Sequence, residues 1–557
     1  MKKIFSALII FTAVLCAAFP AFAEIIDDTS TGQYCGENLR WKYDTETKTL
    51  TISGTGAIKD YDYQLTRMQA PWVKHSKTQD LEKVEISEGV TGIGEYAFYY
   101  CSSLKSVTLP NSLKTIGKGA FYNCDALTDI TFPSGLTSIG DEAFEYCKTL
   151  TDVTIPGSVA DIGESAFSGC DNLAKVTIQD GVKTIGYAAF YLCQNLMTAA
   201  LPDSITSIGD KAFYDTAFYE DWLYGDDTAS DMLYLGKHLI KARSNTSGTC
   251  SVTPGTKTIA AHAFESCDDI SCIAIPKSVT NIGDEAFFSC FDLRDINVDA
   301  DNAYYCSDNG ILYNKEKTEI IRLPKEKAGT SFTIPNGVTK IADGAFEYCQ
   351  SLIRIIIPNG VSEIGNDAFS QCNKLTSIKI PSSVTSIGSG AFYYCSQLTD
   401  ISIPDGVTEI GENTFYYCSK LKSITIPNSL MIIGRDAFYG CKKIDTVNYI
   451  GSEDDWNDVT GSGKYVLNNA GINYCSGIIA KYSDDNKEIF VKPIKTAIGK
   501  TVSLALYNGD RFVEMQSALY NGEEITFTPS KAHTHAKVMI WESLDGMIPV
   551  CGSAAVK

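Results

Sequence analysis

Apolar side chains return along this chain with a period of 23 residues. Phenylalanine stands at Phe98, Phe121, Phe144, Phe167, Phe190 and Phe213, resumes at Phe264 and Phe287, and runs again from Phe346 through Phe369, Phe392, Phe415 and Phe438; a cysteine follows most of them three residues later. One unit, residues 104–126, reads LKSVTLPNSLKTIGKGAFYNCDA. Its apolar positions Leu104, Val107, Leu109, Leu113, Ile116, Phe121 and Cys124 recur in neighbouring units as columns. A fixed period of this length is the mark of a repeat array. Val107-Thr108-Leu109 alternates in, out, in, and Pro110 follows where a missing N–H ends a strand cheaply. The pattern predicts a β-rich solenoid in which each coil gives one strand to a parallel sheet. The Ile116-Gly117 pair predicts a turn. Ala260 and Ala342 take the glycine column in two coils, so a positive φ is not obligatory there.

One coil has too few inward side chains to offset the entropy of ordering its backbone, so stability must come from neighbouring coils and from capped ends. Residues 24–80 lack the period but hold the alternating strand Leu50-Thr51-Ile52-Ser53-Gly54, with Trp41 and Trp72 as lids. The other end departs at Val447 and runs through Trp456 to Tyr474. The period breaks twice, after Phe213 and after Phe287. Leu233 to Ile240 reads as a hairpin in the first gap, and Ile311 to Leu323 as a clearer one in the second. Both insertions are expected to protrude from the coil stack. The last segment, 476–557, has strand patterns such as Val502 to Tyr507 and Glu524 to Phe527, which predict a β-sandwich-like domain. The resulting division is 1–23, 24–80, 81–475 and 476–557.

The first of these segments is a charged Lys2-Lys3 start, an apolar run from Ile4 to Phe19 and Ala21-Phe22-Ala23, the layout of an export signal cut after Ala23. Leu15 before Cys16 is too large for a lipidation site. No later apolar run is long enough to span a bilayer. The net charge of −20 excludes nucleic acid and anionic membrane surfaces as partners, since each needs a basic face.

The cysteine ladder, Cys101 to Cys193 and Cys349 to Cys441, invites a disulfide or metal reading. Stacked strands sit about 4.8 Å apart with parallel Cβ vectors, whereas a disulfide needs about 3.8 Å and convergence, and tetrahedral zinc needs ligands that meet at a point. The ladder therefore predicts buried structural thiols, and Thr216 replaces cysteine where the first insertion begins. Cys272 falls outward and Cys250 inward, so they do not pair; Cys475 and Cys551 are an open candidate pair. A secreted chain so rich in thiols suits a low-oxygen habitat. The five histidines are scattered except for His533 and His535, and no G-x-S-x-G, H-E-x-x-H or P-loop pattern occurs. No enzyme, metal or cofactor is expected.

The candidate site is an aromatic stripe in the two positions after the ladder phenylalanine: Tyr99, Tyr100, Tyr122, Tyr146 and Tyr191, then Tyr393, Tyr394, Tyr416, Tyr417 and Tyr439. If the phenylalanine points inward, at least one neighbour reaches solvent, where tyrosines make rigid amphipathic contacts with protein or glycan. The alternative is that these rings pave adjacent coils. A second surface is the small, polar outward column of the sheet, with Ser106, Thr108, Asp129, Thr131, Asp152, Thr154, Asp400 and Ser402.

The unit I-P-x-x-V-x-x-I-G-x-x-A-F-x-x-C-x-x-L, as in Ile380 to Leu398, resembles the BspA-type leucine-rich repeat of bacterial surface proteins. Cys35 to Trp41 with Leu50 to Gly56, and Tyr449 to Trp456, are similar to segments that flank such arrays, so the resemblance spans about residues 33–475. Val538 to Leu544, with Met547 and Pro549, resembles a small β-rich module that closes extracellular proteins of Gram-positive anaerobes. The resemblance implies a right-handed leucine-rich-repeat coil stack, a secreted or cell-surface location, and adhesion or ligand binding rather than catalysis. The expected partner is an extracellular protein or glycan, with a cell-wall polymer as a further partner of 476–557. The alternative function is an envelope scaffold without a specific host ligand.

Overall fold

The computed structural model describes residues 25–62, 69–74, 80–225, 230–468 and 470–474, and beyond them seven strands between 479 and 555. The export-signal segment, His75, His533 and Cys475 lie outside the described residues, as do the side chains of His535 and Cys551. Two compact units emerge. The first runs to Arg243 and takes in Gly255–Ala263 and Thr280–Ala286; the second holds Ser244–Pro254, Phe264–Val279 and the chain from Phe287.

In the first unit each coil is tied to the next by three hydrogen-bonded ladders. The first is the expected parallel sheet, with Asp152–Ile155, Lys175–Ile178 and Thr198–Ala200 in a 23-residue register that sets Val153 beside Val176 and Val176 beside Ala199. The second is a parallel sheet of two-residue strands, Thr115–Ile116, Ser138–Ile139, Asp161–Ile162, Thr184–Ile185 and Ser207–Ile208. In the third ladder the backbone N–H groups of Phe121, Phe144, Phe167 and Phe190 donate to the carbonyls of Ala143, Ala166, Ala189 and Ala212, each at 2.8 Å. The expectation of one strand per coil is thus too low. Two residues are too few to show an alternation, and the third ladder is not a strand.

That third ladder needs an unusual backbone. The residues two before and two after each ladder phenylalanine have positive φ, as at Glu142 and Tyr146 (56° and 60°) or Asn413 and Tyr417 (56° and 54°). A left-handed conformation costs an L-residue about 1–2 kcal/mol. Here the inter-coil hydrogen bonds and the burial of the intervening phenylalanine, completely enclosed in coil after coil, hold it in place. The rings stack along the first unit at 5.0–5.4 Å with interplanar angles of 5–9°. The glycine after each two-residue strand serves close approach rather than φ: a Cβ on Gly140 would lie 2.7 Å from the Lys118 nitrogen.

The cysteine column has a second function besides filling space. Sγ of Cys124, Cys147, Cys170 and Cys193 lies 3.2–3.3 Å from the carbonyl oxygen of the ladder phenylalanine one coil earlier. In the second unit Cys372, Cys395 and Cys418 repeat this at 3.2 Å. These ladder thiols are buried and outside any disulfide, and Cys250 and Cys272 are not disulfide-bonded to each other. A polar ladder alternates glycine with serine: Gly181 N–H donates to Ser204 Oγ at 2.9 Å, and Ser204 Oγ–H donates to the Val182 carbonyl at 2.8 Å. In the second unit Gly406 and Ser429 repeat the pair.

Against the expectation that both hairpins protrude, one arm of each joins the coil stack. Met232–Leu235 pairs antiparallel with His238–Ala242, which then lies parallel to Thr258–Ile259 as a rung of the short-strand sheet. In the second unit Tyr305–Asp308, Ile311–Asn314 and Glu319–Arg322 form an antiparallel set whose last strand runs parallel to Lys340–Ile341. Leu239 and Ile320 explain this: each is fully enclosed, so the arm that joins the sheet buries apolar surface and satisfies an open edge together.

At the start of the first unit Asn38–Asp44 and Thr49–Ala57 pair antiparallel, with Trp41 and Trp72 almost fully buried. At the far end of the solenoid in the second unit, Thr446–Ile450 and Gly471–Tyr474 extend the longer-strand sheet, and Trp456 of the helix Glu453–Asp458 packs edge-on against Tyr449 at 5.0 Å. Beyond Tyr474 the strands pair into a three-stranded and a four-stranded sheet, antiparallel where Thr501–Asn508 meets Arg511–Leu519 and His535–Trp541.

Candidate ligand-binding surface

The tyrosine stripe lies on the side of the coil that carries the third ladder, because its members flank the buried phenylalanine. Tyr99, Tyr122, Tyr191, Tyr393, Tyr416 and Tyr439 directly follow it. Tyr100, Tyr146, Tyr394 and Tyr417 occupy the left-handed position one further on. None of the ten is buried. Tyr100 is 55% exposed and Tyr439 is 42% exposed, and the others are half-buried.

In the second unit the structure brings all five expected tyrosines together. Tyr393 and Tyr416 stack at 5.0 Å, Tyr416 and Tyr439 at 5.1 Å, and Tyr394 and Tyr417 at 5.0 Å, in two parallel files that touch at 4.8–4.9 Å. The spacing is that of the coils, so rings stack face to face and turn their edges and hydroxyls outward. Where the file ends, Gly440 takes the left-handed position, and the Tyr417 ring lies where a Cβ on it would sit at 2.9 Å.

In the first unit the expected five divide. Tyr99, Tyr100 and Tyr122 are in mutual contact, with Tyr146 edge-on to Tyr122 at 5.7 Å. The next coil carries Ser168 and Gly169, and the Tyr146 ring covers Gly169. Tyr191 instead meets Tyr214 at 6.0 Å, and Tyr214 leads to Tyr219 and Trp222. Tyr214 stands directly after Phe213, and Tyr348, which packs on Phe288 and Phe291, stands two after Phe346. The column rule applied to every coil finds both.

Burial raises the phenols of Tyr122, Tyr146, Tyr393 and Tyr416 above the usual tyrosine range, so they are neutral donors at physiological pH. Glu145 takes the place of the first tyrosine after Phe144. Burial, followed by its neighbour Glu142, pushes its carboxyl from 4.5 up to about 7. Burial also pushes the ladder thiols up, to about 12 at Cys147 and Cys395, which leaves them protonated and unreactive. His238 is fully buried with Nε2 3.1 Å from the Pro202 carbonyl, and burial lowers its pKa. The outward sheet column is solvent-facing at Thr108, Asp129, Thr131, Asp152, Thr154, Asp400 and Ser402. No helix among the described residues is long and apolar enough to cross a membrane.

A stack of 23-residue coils with buried phenylalanine and cysteine files and a tyrosine-bearing face defines a repeat solenoid of the leucine-rich class. The chain belongs to the family described as BspA type leucine rich repeat region, which it matches in six copies across residues 75–197, 114–222, 243–328 and 325–445. It is similar to a leucine-rich cell surface protein from Faecalibacterium prausnitzii at 28% identity, over 77% of this chain and 97% of that one with a TM-score of 0.33. A leucine-rich repeat protein from Eubacterium ventriosum is 24% identical over 81% and 95%, with a TM-score of 0.35. One from Bacteroides ovatus is 21% identical over 79% and 99%, with a TM-score of 0.30. No curated protein matches the chain.

Proposed function

We propose that this chain is an exported, secreted or cell-surface binding protein without enzymatic activity, adhesin-like, that recognises an extracellular protein or glycan through its repeat surface. In this reading residues 1–23 direct export, 24–80 cap the array, 81–475 form the solenoid with its second cap, and 476–557 are a separate β-rich module.

The observation that carries the reading is the double file of Tyr393, Tyr394, Tyr416, Tyr417 and Tyr439. Tyr394 and Tyr417 occupy backbone positions where asparagine or glycine would be less strained, at φ of 55° and 54°. Large rings held there at a conformational cost, with their edges in solvent, suit contact with a partner better than packing alone. The buried ladder thiols favour binding over catalysis, since a nucleophile needs an accessible thiolate.

The test is a variant with Tyr393, Tyr394, Tyr416 and Tyr417 all changed to serine, compared with the native chain on a glycan array and on immobilised host extracellular proteins. Loss of binding with an unchanged circular dichroism spectrum supports the reading. Binding that survives the four changes overturns the role of this surface.

A further inference from the structure

The column directly after the ladder phenylalanine is aromatic at Tyr99 and Tyr122, whose rings stack at 5.1 Å, and acidic on the next coil at Glu145. The third ladder fixes the register: Tyr100 N–H donates to the Tyr122 carbonyl at 2.8 Å, and Asn123 N–H to the Glu145 carbonyl at 2.7 Å. Glu145 therefore stands one rung beyond the Tyr99–Tyr122 stack, half-buried, and its charge acts on the phenols of both Tyr122 and Tyr146. Among the described residues its carboxylate makes no hydrogen bond and no ion pair.

The charged groups around it are already engaged. Glu142 on the same coil is held by Lys118 at 3.0 Å, and Lys148 reaches Asp125 at 3.6 Å. The Tyr122 and Tyr146 phenols feel its charge, and Tyr146 also feels that of Asp171. With both lysines matched to other carboxylates, Glu145 is an excess negative charge set into an aromatic surface. Tyr100, more than half exposed, contacts Tyr122 with centroids 5.9 Å apart, so an exposed aromatic ring belongs to the same tyrosine cluster that adjoins that charge.

We propose that the face formed by Tyr100, Tyr122 and Tyr146 seats a cationic side chain, arginine or lysine, from a basic segment of a protein partner, with Glu145 as the counter-charge. The inference rests on the reading of the tyrosine surface as a binding face and narrows the partner there to a basic protein segment. The net charge of −20 draws such a segment in from a distance. A guest cation supplies the partner that the carboxylate lacks, and it favours the ionised form. Binding therefore releases a proton and strengthens as pH rises through the range in which the free carboxyl titrates.

The test is calorimetric titration of the full chain with Nα-acetyl-arginine amide and with its uncharged citrulline counterpart. The expected result is arginine binding roughly tenfold tighter at about pH 8 than at about pH 6, with uptake of the released proton by the buffer. Citrulline should show no measurable binding. Glu145→Gln should bind arginine at about pH 8 no better than the native chain does at about pH 6, with no pH dependence. The variant changed at Tyr393, Tyr394, Tyr416 and Tyr417 should keep arginine binding intact. Equal binding of arginine and citrulline, or pH-dependent binding retained by Glu145→Gln, overturns the inference. So does binding confined to glycans on the array. Failure here with tyrosine-dependent host binding preserved leaves the broader reading of the surface standing.

Discussion

The indole of Trp72 lies on Phe98 as one more ring of the phenylalanine file, with centroids 5.4 Å apart and planes at 21°, against 5.0 Å and 9° for Phe98 on Phe121. Its Nε1–H donates to the Ala97 carbonyl at 2.8 Å. One coil later the equivalent Ala120 carbonyl receives the Phe98 N–H at the same distance. The cap thus copies both the stacking and the hydrogen bond of a coil using a single side chain. Tyr61 N–H to the Glu95 carbonyl copies the neighbouring rung, Tyr96 N–H to Lys118, both at 2.9 Å.

Trp72→Ala is therefore expected to cost about 3–5 kcal/mol, felt first as opening of the coils nearest the cap. Trp72→Phe keeps a ring but leaves a buried carbonyl unpaired, at about 1–3 kcal/mol. Urea unfolding followed by tryptophan fluorescence gives the totals, and amide exchange at residues 96–123 locates the opening. Equal protection of those amides in Trp72→Ala and the native chain would contradict the capping role.

The thiols offer a second measurement. Cys124, Cys147, Cys170 and Cys193, with Cys372, Cys395 and Cys418, are enclosed, and burial raises every one of their pKa values. Cys272, 3.2 Å from the Asn297 amide, and Cys306 are half-buried and shifted less. Iodoacetamide at about pH 8 should modify Cys272 and Cys306 in the native protein and the ladder cysteines only after unfolding, because a thiol with a pKa of about 12 holds roughly one thiolate in ten thousand there. Peptide mass spectrometry reads the order directly. Early modification of Cys147 or Cys395 would show that the ladder opens in the native state.

The 23-residue period, the inward phenylalanine and cysteine columns and both hairpins are legible in the sequence because each is a long-range repeat or a strong local signal. The second sheet is not, since Thr115–Ile116 is too short to show a period of two. The third ladder is hidden for a different reason: its left-handed positions carry Tyr146, Leu192, Glu142 and Lys211, residues whose propensity argues against that backbone. The sequence likewise places ten tyrosines in two columns, with Ser168 and Gly169 interrupting them, but does not show which of the rings touch. A carboxylate at the next rung after Tyr122 gains its meaning only from the burial and the ion pairs around it.

Glu145 ties stability to that surface. In the folded chain its carboxyl titrates near 7 instead of 4.5. Between those values the folded protein holds a proton that the unfolded chain has lost, so this group's contribution to stability is full below about pH 4.5 and is withdrawn as pH rises through about 7. Glu145→Gln removes the penalty. After allowance for its partial exposure, the variant should be about 1–2 kcal/mol more stable than the native chain at about pH 8 and equal to it at about pH 4. Urea midpoints at the two pH values decide this: an equal gain at both would place the effect in packing rather than ionisation, and no gain at about pH 8 would mean that the carboxylate is well solvated. A variant that folds more tightly and binds arginine less well would identify Glu145 as a charge retained for a partner at the expense of the fold.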